Sequence, residues 1–155
     1  AAAGHRADRL AAHGVRHVFV QDNHSRSIRG TLRGLHAQRR HPQGKLVRAI
    51  QGEIFDVAVD IRRGSPTYRR WVGVWLTDRT PQMLFIPEGF AHGYLALTDR
   101  CEVLYKTSGY YAPQYDRGFR WNDPEVAIAW PIDEPLLSSK DASSPPLSQA
   151  KNNFF

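Results

Sequence analysis

The sequence predicts an all-β fold: a jelly roll of two facing sheets, with a short N-terminal helix and an irregular C-terminal tail. From residue 17 onward, short runs rich in Val, Ile, Leu and aromatic residues recur at spacings of about 8 to 12 residues. Turn residues separate most of these runs. Such spacing is typical of a sandwich or barrel rather than of alternating βα units. A double-sheet jelly roll is favoured because closure hides most strand edges.

The elements are predicted in chain order from local patterns. Residues 5–13 suit a short helix, and Gly14 is placed to end it in a left-handed turn. Along 53–61 the odd-numbered positions are mostly apolar and the even-numbered positions are half polar. This alternation predicts a strand with one buried side. After Gly118 the prolines make the chain irregular, and this tail is expected to wrap the barrel or cover its mouth. The predicted strands are HVFV at 17–20, SIRGTLRGL at 27–35, KLVRAI at 45–50, EIFDVAVDI at 53–61, RWVGVWL at 70–76, QMLFI at 82–86, GYLALT at 93–98 and EVLYKT at 102–107.

Length and charge limit the kind of protein. At 155 residues the chain is expected to form one domain over residues 1–155, long enough for a real hydrophobic core. Its 21 Lys and Arg against 15 Asp and Glu give a formal net charge of +6, which favours an anionic partner. The basic residues are scattered and form no named nucleic-acid motif. A phosphate-bearing small molecule is therefore expected as the partner, and nucleic acid is not.

The sequence also predicts a compartment. It contains no apolar run of about 18 residues that would cross a membrane as a helix, and no signal-peptide pattern at its start. The only cysteine, Cys101, cannot form an internal disulfide and fits a reducing environment. A cytoplasmic protein without a membrane partner is therefore expected.

The segment 31–48 carries two residues that could do chemistry together. His36 and Lys45 lie on predicted strands on either side of a turn. A histidine can move a proton near neutral pH, and a lysine can hold a developing oxyanion. Arg33 and His36 differ by an odd number, so they would face opposite sides of a strand unless Gly34 introduces a bulge. From the residues alone, a histidine hydrogen-bonded within the barrel wall is an equally good interpretation.

Tyr105 and Asp141 are open to two interpretations each. Tyr105 lies on a predicted strand, where a tyrosine commonly packs as an aromatic, although its phenol could also give a proton to a carbanion. Asp141 lies in a stretch with the composition of a surface turn, although its carboxylate could hydrogen-bond a histidine and fix its tautomer. Composition does not choose between these interpretations.

The segment PEGFAHGY at 87–94 resembles one half of the cupin sequence pattern, in which a histidine such as His92 points into the barrel. In metal-binding cupins the other half supplies a His-x-His pair and a glutamate. His36 and His41 are too far apart in sequence to form that pair. No metal site is therefore predicted, and His92 is interpreted as a ligand contact or an orienting group.

Taken together, the motifs resemble the dTDP-4-dehydrorhamnose 3,5-epimerase family. The resemblance runs in unbroken order over about residues 15–145, and so many specific motifs in sequence say more than any one alone. It implies a cupin-like jelly-roll barrel that needs no cofactor. The matching segments are FVQDNHSRS at 19–27, LRGLHAQ at 32–38, PQGKLVRAIQGEIFDVAVDIRRGSPTY at 42–68, RWVGVWL at 70–76, IPEGFAHGYLALTD at 86–99, YKTSGYYAPQYDRGFRWNDPEVAIAWP at 105–131 and LSSKDASSP at 137–145.

The resemblance implies catalytic roles at matching positions. The histidine of the RGLH motif, His36, corresponds to the proton-abstracting base, and the aspartate of the SxKD motif, Asp141, to its partner. The tyrosine of YKT, Tyr105, corresponds to the proton donor. The lysine of PQGK, Lys45, is expected beside the keto oxygen.

The resemblance also implies substrate contacts. Arg33 is expected at the diphosphate. Asp116 stands where the family usually has a glutamate, so a shorter carboxylate is expected at that contact. The complete predicted set of contacts is Gln21, Asp22, Asn23, Arg33, His92, Asp116 and Lys140.

The implied reaction inverts C3 and C5 of dTDP-4-dehydro-6-deoxy-D-glucose on the route to dTDP-L-rhamnose. A C4 ketone acidifies the hydrogens on both neighbouring carbons, so a base, an acid on the opposite face and a cation at the oxygen suffice. The family implies a homodimer. Its members usually begin with about one more strand pair, carrying a GDERGFFxE-like segment, and AAAGHRADRL stands there instead. A single-centre epimerase and a non-catalytic nucleotide-sugar-binding protein remain as alternatives.

Overall fold

Two antiparallel sheets face each other in the computed structural model, which describes residues 5–150. One sheet has four strands in the order β1-β8-β3-β6, and the other has five in the order β5-β4-β7-β2-β9. This arrangement confirms the predicted jelly roll. The strands are β1 (Gln21–Ser27), β2 (Leu32–Gln38), β3 (Lys45–Gln51), β4 (Glu53–Asp60), β5 (Trp71–Thr77), β6 (Leu84–Ile86), β7 (Phe90–Ala96), β8 (Cys101–Thr107) and β9 (Asp116–Gly118).

The two α-helices are short and lie near the two ends of the described chain. Helix α1 spans Ala7–Ala12, and Gly14 follows it at φ +84°, so the predicted N-terminal helix and its left-handed end are confirmed. A one-turn 3-10 helix precedes β9 at Pro113–Tyr115, and helix α2 spans Ser139–Ala142. None of the helices within residues 5–150 has the length and apolar character needed to cross a membrane.

The first predicted strand is wrong, and the true first strand lies just after it. HVFV at 17–20 forms no ladder, and Val18 is 78% exposed. The ladder between β1 and β8 ends where Gln21 pairs with Thr107, so it does not extend to residues 17–20. The true strand β1, QDNHSRS, is polar on both faces because one face lines a polar cavity and the other meets solvent. Hydrophobic alternation cannot find such a strand.

Strand β4 is buried on both faces, not on one as its alternation predicted. Its apolar parity, including Phe55, Val57 and Val59, packs in a core outside the five-stranded sheet. Its other parity points between the two sheets, where Ile54 packs in the second core. Asp56, of this parity, is fully buried, so the half-polar face is an interior face. A buried polar group on such a face indicates a site rather than solvent exposure.

The C-terminal segment 119–150 covers the outer face of the five-stranded sheet, so the tail wraps the barrel. Trp130 and Leu147 from this segment pack against the apolar parity of β4 in the outer core. Residues 30–32 bond to Leu136, with Leu32 N–H donating to Leu136 O at 3.0 Å. The segment is thus fixed along its length, and it brings α2 to the end of β2.

A bulge in β2 decides which side chains of this strand reach the interior. The pairing of β2 with β7 shifts register between Arg33 and His36, with Gly34 at φ +108°. Leu35 consequently packs in the outer core, while Arg33 and His36 line the same cavity. The sequence left this point conditional on a bulge at Gly34, and the structure confirms the bulge.

Candidate active site

The interior between the sheets opens into a cavity of two adjoining lobes, each about 340 Å³. Three side chains line both lobes: His36, Lys45 and Tyr105. We name the lobes by one residue each. The Arg33 lobe is lined additionally by Ser25, Arg33, His92, Tyr94 and Asp141, among others. The Asp116 lobe is lined additionally by Gln21, Asn23, Gln38, Tyr111, Asp116 and Lys140, among others.

The two walls of the cavity come from different sheets. In the four-stranded sheet Lys45 of β3 pairs with Thr107 of β8. Tyr105 lies two residues before Thr107, so it faces the same side of the sheet. In the five-stranded sheet His36 pairs with His92 across β2 and β7. Because successive side chains of a strand alternate between faces, these residues converge from opposite sides. His36 therefore faces the cavity from one wall, and Tyr105 and Lys45 face it from the other.

His36 forms a dyad with Asp141. Nε2 of His36 lies 2.5 Å from Oδ1 of Asp141, whose side chain is only 5% exposed. An ionised carboxylate only accepts, so Nε2–H is the donor and the lone pair on Nδ1 is available as a base. Burial raises the pKa of Asp141, but the hydrogen bond and electrostatic interaction with His36, together with the backbone N–H of Gly34, outweigh this effect and lower the pKa. The dyad is thus a histidine held in one tautomer by an ionised carboxylate.

Helix α2 places Asp141 in the dyad. Ser138 caps the helix, and its Oγ accepts from the backbone N–H of Asp141 at 3.1 Å. Oδ2 of Asp141 accepts from Gly34 N–H at 3.4 Å, which ties the helix to the bulge of β2. The interpretation of this stretch as a simple surface turn is therefore wrong, since the capped turn directs its carboxylate inward.

Tyr105 keeps its proton at neutral pH. Burial raises the pKa of its phenol, and the neighbouring Tyr94 and the Asp116 carboxylate act in the same direction, while the charge of Arg33 opposes them. A phenol that is neutral and faces a cavity can donate its proton to a carbanion.

Lys45 lines both lobes of the cavity, and its surroundings act on its charge. Burial lowers the pKa of its ammonium group, and the charges of Asp116 and Asp56 partly offset that effect. An ammonium group with little water around it interacts strongly with a negative oxygen formed beside it. Its position between the two lobes suits contact with a ligand that occupies both.

A second histidine–carboxylate pair lies behind the first. Nε2 of His92 lies 2.6 Å from Oδ1 of Asp56, with His92 only 7% exposed and Asp56 fully buried. Oδ2 of Asp56 makes no hydrogen bond with the described residues. Sequence reasoning named His92 and missed Asp56, although an aspartate in the middle of the interior parity of β4 was a usable signal.

The Asp116 lobe has its own ion pair. Lys140 Nζ donates to Asp116 Oδ2, and Tyr111 Oη donates to the same oxygen at 3.2 Å. Gln21 lies beside this group, where its Oε1 accepts from the backbone N–H of Tyr111 at 3.0 Å and its Nε2 donates to Asn23 Oδ1 at 2.8 Å. Four predicted contacts therefore meet in one lobe, and Tyr111 joins them.

Asp22 is the one predicted site residue whose side chain is not among those lining the cavity. It belongs to the outward-facing parity of β1 and pairs with Lys106 across β8, with Lys106 Nζ donating to Asp22 Oδ1 at 2.7 Å. Its side chain is 68% exposed. Its neighbours Gln21 and Asn23 face inward, because successive side chains of a strand point to opposite faces. The three-residue motif QDN therefore contains residues from both faces of the strand.

No three His, Cys, Asp or Glu side chains converge into a metal-binding group anywhere in residues 5–150. His92 and His36 are each paired to a carboxylate on a different strand or helix. That the reaction uses no metal stays a prediction.

The arrangement suits removal and return of a proton next to a carbonyl group. A histidine paired with a carboxylate, a neutral phenol on the facing wall and a lysine amino group share one cavity. Such a set can form an enolate on one face and protonate it from the other. Arg33 and Lys140 add positive charge at the ends of the two lobes, which suits an anionic ligand.

Comparison with known proteins gives a consistent result. Residues 2–149 match the sequence model of the family described as dTDP-4-dehydrorhamnose 3,5-epimerase. The chain is 60% identical over 124 residues to a protein of that name from Pseudomonas aeruginosa, covering 79% of this chain and 68% of the relative. It is 57% identical over 134 residues to one from Methanothermobacter thermautotrophicus, covering 84% and 72%.

A solved structure is similar over nearly the whole chain. It is the dTDP-6-deoxy-D-glucose-3,5-epimerase of Legionella pneumophila in complex with dTDP-4-keto-L-rhamnose. The TM-score is 0.90 at 46% sequence identity, covering 94% of this chain and 78% of the other.

Proposed function

The chain belongs to the dTDP-4-dehydrorhamnose 3,5-epimerase family, and from this we propose which of its residues bind the sugar nucleotide and which carry the reaction. Its activity is an isomerisation: the inversion of C3 and C5 in a dTDP-linked 4-keto-6-deoxy sugar. The observation that carries the residue assignment is the placement of His36 and Tyr105 on facing walls of one cavity. A sugar ring between them would meet a base on one face and an acid on the other.

The proposed mechanism begins with His36. Its Nδ1 takes the proton from the carbon next to the C4 ketone, and Asp141 stabilises the imidazolium that forms. The electrons of the C–H bond move to the ketone oxygen, where Lys45 stabilises the enolate. Tyr105 then gives its proton to the same carbon from the opposite face, which inverts the centre. The second centre requires the same steps after Tyr105 has regained a proton and His36 has lost one.

The remaining contacts are proposed to hold the nucleotide. Arg33 can bind a diphosphate bidentately, and the charge excess of +6 favours such a ligand. The bound dTDP-4-keto-L-rhamnose of the similar Legionella structure supports a ligand of this class. We further propose a cytoplasmic location, supported by the single cysteine, and a homodimer, supported by the family resemblance.

The test follows solvent deuterium into the sugar. Protein and dTDP-4-dehydro-6-deoxy-D-glucose are incubated in deuterated water, and the hydrogens on C3 and C5 are followed by NMR. Exchange with inversion at both carbons is expected. Exchange at one carbon alone would show a single-centre epimerase instead, and exchange at neither would leave only binding.

His36→Ala should abolish exchange at both carbons while leaving dTDP affinity within about threefold, because the variant loses the base but keeps Arg33. Exchange is measured by the same NMR experiment and affinity by calorimetry. His13→Ala, which changes an exposed histidine after helix α1, is the matched control. Undiminished exchange in His36→Ala would remove the assigned base.

A further inference from the structure

A chain of three hydroxyl groups, two of them buried, lies behind Arg33. Nε–H of Arg33 donates to Ser27 Oγ at 3.0 Å. Ser27 Oγ lies 3.4 Å from Tyr94 Oη, which lies 2.8 Å from Ser25 Oγ. Ser27 is 6% exposed and Tyr94 is 3% exposed. Because these hydroxyls are buried, little water is available to replace a missing partner.

The hydrogen bonds between these hydroxyl groups can all be donated in one direction, away from Arg33. Ser27 Oγ accepts from the guanidinium, so its own O–H is free to donate to Tyr94 Oη, and the phenol can then donate to Ser25 Oγ. The Ser27 and Tyr94 hydroxyls thus each find an acceptor. Buried hydrogen bonds that satisfy one another hold their members in one arrangement.

The hydroxyl chain ties Arg33 to both sheets. Ser25 and Ser27 belong to the inward parity of β1, in the four-stranded sheet. Tyr94 lies on β7 in the five-stranded sheet, directly opposite Arg33 in the register with β2. A free arginine side chain has many rotamers and loses conformational entropy when it is held in one of them. A scaffold that fixes its Nε removes much of that entropy before any ligand arrives.

The guanidinium keeps donors for a ligand. Nε–H is used by Ser27, and Nη2 donates to the backbone oxygen of Arg26 at 2.9 Å. Within residues 5–150 the other three N–H groups of Arg33 make no hydrogen bond. They lie on the two terminal nitrogens, which are the atoms that grip two phosphate oxygens at once.

We propose that Ser27 and Tyr94 are positioning residues that hold the Arg33 guanidinium in place for a nucleoside diphosphate. This inference rests on the proposed function, in which Arg33 contacts the diphosphate. Ser27 acts directly, as the acceptor for Nε–H. Tyr94 acts one step further away, by holding the Ser27 hydroxyl.

The first test measures dTDP affinity by calorimetry. Ser27→Ala should weaken dTDP binding about tenfold, the effect of losing one hydrogen bond to a charged group. Tyr94→Phe keeps the ring and loses only the hydroxyl, so a smaller loss of about threefold is expected. Tyr68→Phe, a tyrosine of the β4–β5 connection that does not line the cavity, is the matched control and should bind dTDP as the unchanged protein does. Thermal unfolding of each variant confirms that it folds.

The second test asks whether the effect passes through Arg33. In an Arg33→Ala background, which itself should bind dTDP weakly, adding Ser27→Ala or Tyr94→Phe should cost no further affinity. A purely structural effect of these hydroxyls would persist in that background and would overturn the proposal. Unchanged dTDP affinity in both single variants would overturn it as well.

Steady-state kinetics separates this inference from the proposed function. KM for the keto sugar nucleotide should rise in Ser27→Ala with kcat within twofold, since the reacting groups are untouched. A fall in kcat at constant KM would contradict a positioning role toward the diphosphate. If the unchanged protein bound dTDP but showed no deuterium exchange, the proposed reaction would fail. The dTDP affinities of the Ser27→Ala variants with and without Arg33→Ala would still decide the role of Ser27.

Discussion

At the scale of single residues, the proposed chemistry depends on the hydrogen bond to His36 and on the burial of Tyr105. Asp141 accepts from Nε2–H of His36, so Nδ1 is the nitrogen assigned as the base. Burial keeps the Tyr105 phenol protonated by raising its pKa. His36 is thus placed to accept a proton and Tyr105 to give one.

Tyr105→Phe should separate proton exchange from inversion. His36 can still remove a proton and return one from solvent on the same face, so exchange of C3 and C5 hydrogens is expected to continue. Inversion should fall about 100-fold, a typical loss for one general acid. NMR of the sugar in deuterated water reports both quantities, with Tyr68→Phe as control. Full inversion with normal stereochemistry would remove Tyr105 from its role.

Asp56 deserves a test because its carboxylate is fully buried and holds His92. Asp56→Asn replaces a charged acceptor by a neutral amide, which loosens the orientation of His92 and removes a negative charge near Lys45. The variant is expected to lose about 10- to 100-fold in kcat/KM, the cost of weakening one charge-assisted bond. Asp99→Asn changes an exposed carboxylate as control. A kcat/KM within twofold of the unchanged protein would show that the Asp56–His92 pair is not needed.

At the scale of elements, the bulge of β2 matters most. A regular strand would direct Arg33 and His36 to opposite faces, and either the anion contact or the base would leave the cavity. The bulge turns both inward and sends Leu35 to the outer core. Two interactions with Gly34 hold it: the N–H bond to Asp141 and the close approach of β7.

Gly34→Ala should disrupt both stability and activity. A Cβ at this position would lie 2.6 Å from the carbonyl oxygen of His92, and the φ of +108° strongly favours glycine. We expect the free energy of unfolding to fall by about 2 kcal/mol or more, together with a large loss of deuterium exchange, because His36 shifts with the bulge. Urea unfolding and NMR measure the two effects. Gly64→Ala, which meets open space, is the control, and equal behaviour of the two variants would contradict the bulge argument.

At the scale of the whole molecule, two cores share the five-stranded sheet. The inner core lies between the sheets and gives way to the cavity, while the outer core lies under the C-terminal segment. The outer core thus supports the site indirectly, because the same segment carries Asp141 on α2. Packing outside the barrel fixes a residue inside it.

Leu147→Ala tests this dependence. Leu147 is 2% exposed in the outer core, so its truncation should cost about 2 to 5 kcal/mol of the free energy of unfolding. Leu136→Ala, on the same segment but 52% exposed, should cost much less. Urea denaturation of both variants makes the comparison. Similar losses would show that the segment does not pack as described.

How much the sequence predicts depends on the kind of signal. Short runs rich in apolar residues predict strands that pack in a core, such as β3 and β4. This signal fails for β1, whose inward face is polar because it lines the cavity. The motifs identify His36, Lys45, Tyr105 and Asp141 because their residue types and order are characteristic of the family. They do not separate Gln21 and Asn23 from Asp22, since strand parity was not known there.

The sequence by itself determined the jelly-roll class, the family and the principal candidate residues, because these depend on local patterns and on short motifs. The tertiary structure alone decided which wall of the cavity each candidate occupies and which partner it meets. His36 and Asp141 are 105 residues apart and Ser27 and Tyr94 are 67 apart, so their contacts depend on sheet register and on the course of the C-terminal segment. The bulge at Gly34 is the clearest case: the sequence could state it only as a condition, and the pairing of β2 with β7 fulfilled it. Register is set by packing across the whole barrel, and no single stretch of sequence contains that information.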